Sequence, residues 1–326
     1  MDVLSEVLRA VRMTGAVYFD VTAREPWVAE TPPLSSVCAK VMPEWEHVIA
    51  FHIVLEGSGW AQLGDESEPA TRFGGGDALL FPRGDAHVMA SEPGRRSRPD
   101  HRRYFRPTDQ PLPFVINERG GDGPIARFVC GYLGCDARPF NPLLGTLPRM
   151  IHIPGPREER NPTVELIRMA VEESESRRAG GETVLAKLSE LMFVQALRRY
   201  VDDLPPGSNG WLSGLRDPHV GAALGLIHGR PAEDWTLERL AREVGLSRSS
   251  FAERFTHLVQ EPPMRYLGRW RMQLASRSLA SPGASVARAA AEVGYQSEAA
   301  FNRAFKKYVG VPPGEWRRSR ERTEVE

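Results

Sequence analysis

Two serines separated by 50 residues, Ser247 and Ser297, each stand just before a segment in which phenylalanine recurs four positions apart. A serine there caps a helix, because its hydroxyl accepts a hydrogen bond from a backbone N–H of the first turn. The N-terminus of such a helix carries a partial positive charge and free N–H groups, which favour a phosphate. The spacing therefore predicts two equivalent helices that could meet the phosphates of a polyanion.

Both serines belong to an internal repeat. Residues 241–245 (AREVG) recur 49 positions later as residues 290–294 (AAEVG), and beyond them the offset becomes 50, with Phe251 matched by Phe301. Agreement at so many positions with nearly one offset is not expected by chance. Each copy has an amphipathic segment, a glycine that permits a positive φ, and a second amphipathic segment, which is the layout of a helix-turn-helix motif.

The apolar residues between the two copies predict a connecting helix. Leucine, methionine and tryptophan recur at helical spacing over residues 264–280. A helix of about 17 residues spans roughly 25 Å. Held by this connecting helix, the second helices of the two copies could enter successive major grooves, about 34 Å apart. One chain could then bind a bipartite site.

Charge is unevenly distributed, although the formal net charge is 0. Residues 209–320 contain 17 Lys and Arg against 10 Asp and Glu, whereas residues 1–208 contain 24 against 29. This asymmetry indicates that only the C-terminal part meets a polyanion. The segment 203–209 (DLPPGSN) has the composition of a linker and marks the clearest boundary.

The first half of the chain follows a different pattern. Short apolar runs punctuated by Gly, Pro and Asp over residues 15–155 predict an all-β sandwich or barrel. After residue 161 the apolar spacing becomes helical and predicts two helices that flank Gly180 and Gly181. These helices could form a dimer interface, or they could serve only as a spacer between domains.

Residues 215–320 resemble the DNA-binding domain of the AraC/XylS family of transcription regulators, including the closing segment 310–318 (GVPPGEWRR). The resemblance implies double-stranded promoter or operator DNA as partner and, by analogy, RNA polymerase, with activation as the usual role. It also implies that residues of both second helices face bases or backbone: Arg248, Ser249, Ala252 and Glu253 in the first, and Gln296, Glu298, Ala299, Asn302 and Arg303 in the second.

The chemistry of three of these side chains predicts particular bases. Arg303 could pair with guanine, Asn302 with adenine and Glu253 with cytosine. The first helix offers a less basic face, so we expect a modest contribution to specificity from that copy.

The N-terminal part is similar to the cupin-type sensor domains that accompany this DNA-binding domain. Gly76, Pro82, Gly84 and His87 fit the second cupin motif, and His52 with Glu56 fits the end of the first. The preceding histidine position of the first motif is Ala50, so the metal set is incomplete. In that setting the domain would bind a small-molecule or metal effector.

The side chains available for a divalent metal such as zinc are the nitrogens of His52 and His87 and an oxygen of Glu56, with Cys38, His47 or a ligand completing the shell. The alternative is that both histidines are hydrogen-bonded structural residues. Cys130 and Cys135 raise a redox hypothesis, in which oxidation joins or modifies the thiols. Buried, inert cysteines are the simpler interpretation.

Together these patterns predict an α+β protein of two domains. Residues 1–157 are expected to form a cupin-like β-barrel (jelly roll), residues 158–208 a helical linker, and residues 209–326 an all-α double helix-turn-helix domain. We expect a regulator without a catalytic step and without a certain cofactor. The alternative is a cupin metalloenzyme, a dioxygenase or isomerase, with an appended DNA-binding domain, although the missing motif histidine weakens it.

Location is predicted from absent signals. No apolar run approaches the roughly 18 residues of a membrane span, and the first residues lack the pattern of a secretory signal. Three cysteines are too few for a disulfide scaffold. These features predict a cytoplasmic protein that does not cross a membrane.

Overall fold

The computed structural model describes residues 2–101, 113–155, 162–176, 178–205, 207–281 and 283–323. The chain forms two compact units. The sandwich unit comprises residues 13–135 and 147–202, and the helical unit comprises residues 1–12, 136–146 and 203–326. Two segments that the sequence placed in the first domain, 1–12 and 136–146, thus group with the helical unit, and the helices expected as a linker group with the sandwich unit.

The described residues of the sandwich unit form ten strands in two sheets. The strands are β1 (Met13–Arg24), β2 (Val28–Thr31), β3 (His47–Glu56), β4 (Ser58–Leu63), β5 (Thr71–Gly74), β6 (Ala78–Phe81), β7 (His87–Ala90), β8 (Phe114–Arg119), β9 (Ile125–Cys135) and β10 (Ile151–Ile153). One sheet has the order β10-β6-β3-β9-β1-β8 and the other β2-β7-β4-β5. The pair β1 and β8 is parallel, and the other pairs are antiparallel.

The apolar core of this unit lies between the sheets. Val48, Ala50 and Val54 of β3 pack in one cluster with Leu63 of β4 and Met89 of β7. Alternate residues of a strand point to opposite faces, which is why even-numbered positions of β3 share this core. The sequence signal of short apolar runs therefore identified the strands correctly.

The predicted closed barrel is not what the structure shows. In the described part of the chain, the six-stranded and four-stranded sheets have no ladder in common. The edge strands of the small sheet, β2 and β5, are only four residues long and each pairs along one side. Short edges of this kind limit further pairing. Because the strands divide between two sheets, the fold is a two-sheet jelly-roll sandwich within the predicted α+β class.

Two helices flank the glycine pair, as predicted: α3 (Pro162–Ser176) and α4 (Gly181–Asp202). Helix α4 packs on the outer face of the large sheet, where Phe193 borders the same gap as Phe51 and Ile53 of β3. Gly15 permits the close approach, since a Cβ there would lie 1.9 Å from Ser189 Oγ. The described residues of this unit also form two short helices, a 3-10 turn at Leu34–Ser36 and α2 (Cys38–Val41).

The helical unit contains nine helices among its described residues. They are α1 (Val3–Ala10), α5 (Trp211–Arg216), α6 (Pro218–Gly229), α7 (Leu237–Glu243), α8 (Arg248–Val259), α9 (Pro263–Ala280), α10 (Val286–Glu292), α11 (Glu298–Val309) and α12 (Pro313–Thr323). Helix α9 has 18 residues, which span about 27 Å. It connects the two copies of the repeat, as the sequence predicted.

Each copy of the repeat has its own core against α9. In the second, Phe301 and Phe305 pack with Trp316 and with Met272 and Leu279 of α9. In the first, buried polar atoms join the aromatic rings: Trp211 Nε1 donates to the Tyr266 hydroxyl at 2.6 Å, and that hydroxyl donates to His228 Nε2 at 2.8 Å. Burial lowers the pKa of His228 to about 3, which keeps the imidazole neutral and able to accept.

Candidate nucleic-acid interface and effector cavity

The turns of both motifs position the helices that follow them. Gly245 and Gly294 adopt φ values of 72° and 82°, and only glycine tolerates this conformation easily. After each turn a serine caps the next helix: Ser247 accepts from the N–H of Ser250, and Ser297 from the N–H of Ala300, both at 3.2 Å. The two capped N-termini that the sequence predicted are therefore present at α8 and α11.

Buried phenylalanines fix the orientation of these two helices. Phe251 and Phe255 of α8, and Phe301 and Phe305 of α11, are all 0% exposed. The opposite face of each helix must then face solvent, because residues four apart share one side. We call α8 and α11 the first and second recognition helices.

The structure places most of the predicted DNA-contacting residues on these free faces. Ala252 and Asn302 are half-buried. The others are exposed: Ser247, Arg248, Ser249, Glu253, Gln296, Ser297, Glu298, Ala299 and Arg303. The base assignments for Arg303, Asn302 and Glu253 stay predictions.

The positive charges of the two recognition helices differ in their partners. On the first, Arg248 Nε lies 2.8 Å from Glu238, and Arg254 Nε lies 2.8 Å from Asp217, which also caps α6. On the second, Arg303, Lys306 and Lys307 form no ion pair with any described residue. Arg254, Lys306 and Lys307 were not among the predicted DNA contacts, although their charge and their position on the two helices are evident from the sequence.

In the sandwich unit, the structure brings two of the predicted metal ligands together. His52 Nε2 and His87 Nε2 are 2.8 Å apart. His87 donates its Nδ1–H to the Asp85 carbonyl at 2.9 Å, so its Nε2 accepts from the Nε2–H of His52. Burial is the main cause that lowers the pKa of His52 well below its usual value and that of His87 to about 4.

The remaining predicted ligands lie elsewhere. Glu56 is exposed four residues along β3 from His52, which is about 13 Å of strand. Cys38 Sγ donates to the Trp45 carbonyl at 3.2 Å, and His47 donates to the Pro82 carbonyl at 2.7 Å. Among the described residues, no three His, Cys, Asp or Glu side chains form a group that could hold a metal ion.

This donor set does not fit a zinc site. A structural zinc takes four ligands, and a catalytic zinc takes three from the protein. Here the two imidazoles share one hydrogen bond, Glu56 lies at the exposed end of β3, and Cys38 and His47 donate to backbone carbonyls instead. The structure therefore favours the alternative in which both histidines are structural.

The cysteines are separated by strand geometry. Cys130 and Cys135 lie five residues apart on the continuous strand β9, so about 17 Å separates them and they point to opposite faces. A disulfide needs Cα atoms within about 7 Å, which this strand does not allow. Burial raises the pKa of the Cys130 and Cys38 thiols, which disfavours the reactive thiolate.

A cavity of about 200 Å³ opens between the two sheets beside this histidine pair. Its buried walls are largely aromatic or apolar, with Trp27, Phe128 and Tyr132 among them, and the polar groups at that depth are uncharged: the His52 imidazole, the Trp27 indole N–H and the Tyr132 hydroxyl. Four charged residues also line the cavity: Arg98 and Asp100 are exposed, whereas Glu118 and Glu30 are partly buried and Glu30 is paired with Arg96. Sequence reasoning did not find this wall, because its residues come from six strands and two loops that lie far apart in the chain.

The two capped recognition helices on one connecting helix define a helix-turn-helix DNA-binding protein. Residues 240–319 match the profile of a family described as a helix-turn-helix domain, and residues 2–202 match one described as cupin.

Similar full-length relatives exist. The chain is 30% identical over 323 residues to a putative AraC-like transcription regulator of Streptomyces lividans, with 98% of each chain covered. A regulator with the same description from Streptomyces antibioticus is 29% identical, with 98% of this chain and 99% of that one covered. The HTH-type transcriptional regulator AlkR of Acinetobacter baylyi is 27% identical, with 97% and 99% covered.

The chain therefore belongs to the AraC-like transcription regulators and combines a cupin region with a C-terminal DNA-binding domain. The family resemblance and the DNA-binding function inferred from the sequence are confirmed. Where the chain is described, no helix combines the length and the apolar character needed to span a bilayer.

Proposed function

We propose that this regulator binds a bipartite operator through both recognition helices, and that an uncharged small molecule in the sandwich cavity controls the binding. The observation that carries the proposal is the pairing of two equivalent capped helices on α9 with a separate apolar cavity. A ligand that binds one conformation of the cupin region better shifts the population toward that conformation. By analogy with the family, the bound regulator would activate transcription by contacting RNA polymerase.

From the charge difference between the recognition helices we infer unequal roles. Arg248 and Arg254 are already engaged by carboxylates, so using them on DNA requires breaking an existing ion pair. Arg303 is exposed and has no such competitor among the described side chains. The second recognition helix therefore supplies most of the base discrimination.

The cavity walls indicate the chemical class of the effector. A cavity of about 150 Å³ lined by apolar residues holds benzene, so one of about 200 Å³ can hold a compact aromatic molecule. A buried charge would need an opposite charge beside it, and the deep wall offers only uncharged polar groups, those of His52, Trp27 and Tyr132. Metal catalysis is the weaker alternative, because the donor set does not fit a metal and the full-length relatives are named as regulators.

We expect the cavity to bind 2-naphthol at least tenfold more tightly than 2-naphthoate, which has the same rings but is charged at pH 7. Calorimetry with the full chain measures both. The variant Ala50→Leu, which places a larger side chain in the wall, should weaken 2-naphthol binding at least tenfold. Ala222→Leu makes the same change on the exposed face of α6 and should leave binding unaltered.

The same samples separate the two parts of the proposal. Equal affinity for naphthol and naphthoate would contradict the ligand class. Binding of 2-naphthol without any change in operator affinity would contradict regulation through the cavity, while leaving the ligand class intact.

We also propose that the helices of the sandwich unit mediate a homodimer. Val184 and Leu191, seven residues apart on one face of α4, are 40% and 45% exposed, and Met169 of α3 is 50% exposed. An apolar stripe of this spacing suits pairing with the same stripe of a second copy.

Leu191→Glu should convert the dimer to a monomer in sedimentation velocity at micromolar concentration. The reason is that a twofold interface would bring two buried charges together. Val115→Glu, a like change on the exposed strand β8, is the control and should leave the dimer intact. A wild-type chain that sediments as a monomer would support the spacer interpretation instead.

A further inference from the structure

Gln273 lies near the middle of α9 and is only 1% exposed. Its side-chain Oε1 accepts from the backbone N–H of Phe140 at 3.0 Å, and its Nε2 donates to the carbonyl of Ala10 at 3.2 Å. These partners are 133 and 263 residues away in sequence. An amide can accept from one segment and donate to another at once, which a hydrocarbon side chain of similar size cannot do.

Other contacts of α9 reach the same two segments. Arg277 donates to the carbonyl of Arg9 at 2.7 Å. The guanidinium of Arg269 lies 4.1 Å from the centre of the Phe140 ring. Helix α9 is therefore held by α1 on one side and by the loop 136–146 on the other, all within the helical unit.

Both segments continue directly into strands that line the cavity. Residue Arg12 precedes β1, and Asp136 follows β9, two strands that pair from Met13 with Cys135 onward. Arg12 donates from Nε and Nη2 to both carboxylate oxygens of Asp136, at 2.8 and 2.9 Å. A positive φ of 39° at Arg12, unusual outside glycine, shows that the chain turns sharply there.

From these contacts we infer that Gln273 is a positioning residue. It fastens the helix that carries both recognition helices to the chain segments that leave β1 and β9, so that operator affinity depends on how these segments are held. This role of Gln273 in operator binding goes beyond the proposed function. Only the prediction that Gln273 transmits the effect of a cavity ligand rests on the proposed function.

A double-mutant cycle on operator binding tests this without any ligand. Gln273→Met removes both hydrogen bonds at nearly constant volume, and Arg12→Ala removes the pair with Asp136. Each single variant of the full chain should weaken binding to the operator at least fivefold. Both substitutions disturb the same set of contacts between α9 and the two chain segments. The operator affinity of the double variant should therefore be at most twofold lower than that of whichever single variant binds less tightly. A double loss equal to the product of the single losses would overturn the inference.

Hydrogen exchange distinguishes positioning from loss of the fold. In Gln273→Met the amide of Phe140 should exchange at least tenfold faster, while the amides of α11 keep their wild-type protection. Faster exchange throughout the helical unit would indicate a purely structural role and would contradict the inference. Gln62→Met makes the same chemical change on β4 and is the control for both measurements.

The response to a ligand provides the last comparison. Gln273→Met should bind 2-naphthol with wild-type affinity, yet its operator affinity should change less than twofold on saturation. A response as large as in the wild type would overturn the inference. If 2-naphthol does not bind the wild type, the ligand class fails, and the cycle and the exchange rates alone decide the role of Gln273.

Discussion

Replacing Phe301 with alanine is expected to lower the free energy of unfolding of the helical unit by about 3–5 kcal/mol, as for other buried aromatic residues. Phe301 is 0% exposed and packs with Tyr295, Phe305 and the surrounding cluster on α9. The lost ring leaves a cavity that a helix of 12 residues cannot close without moving. Urea unfolding followed by circular dichroism measures the change.

Phe301→Leu is the matched control for this experiment. It retains an apolar side chain, so it should cost clearly less than the alanine variant. The alanine variant should also lose operator binding at 37 °C, because the second recognition helix depends on this anchor. A cost below about 1 kcal/mol would mean that Phe301 is not part of a close-packed core.

The second large effect is expected at Arg303. Arg303→Ala should weaken binding to the cognate operator by about 1–3 kcal/mol, roughly 5- to 150-fold, and relax the preference at one base pair. The guanidinium is exposed on the second recognition helix and has no ion-pair partner among the described residues. Fluorescence anisotropy with the operator and its single-base variants measures both quantities.

Two further variants sharpen the result. Arg288→Ala removes an exposed arginine of α10 that pairs with Glu292, outside the recognition helices, and should change affinity less than twofold. Lys306→Ala should weaken binding to all sequences alike and reduce the salt dependence by about one ion, as for a phosphate contact. If Arg303→Ala behaves like Lys306→Ala, then Arg303 contacts the backbone and does not discriminate bases.

The helical unit shows why so much of the DNA-binding part was predictable. A helix-turn-helix motif is specified by local signals: a cap at Ser247 or Ser297, a glycine in the turn, and apolar residues four apart. These signals lie within about 20 consecutive residues, and the same signals occur in both copies of the repeat, which supports the assignment of each. The structure accordingly has both motifs and the connecting helix close to the predicted bounds.

The metal site shows the opposite case. His52, Glu56 and His87 have suitable ligand types, but strand geometry places Glu56 at the exposed end of β3 and pairs the two imidazoles with each other. A motif in a β protein specifies ligand types and spacing along the chain. Whether the side chains meet depends on the strand pairing, which involves residues far apart in sequence.

The sequence by itself determined the family, the two recognition helices and the change from a β-rich to a helical part, because these depend on periodicity and turn residues within short windows. Only the tertiary structure decided that the sheets form an open sandwich, that Trp27, Phe128 and Tyr132 line a cavity, and that Gln273 holds two remote segments. The physical reason is the same for all three: each depends on long-range packing and hydrogen bonds between segments whose sequences carry no local sign of their partners.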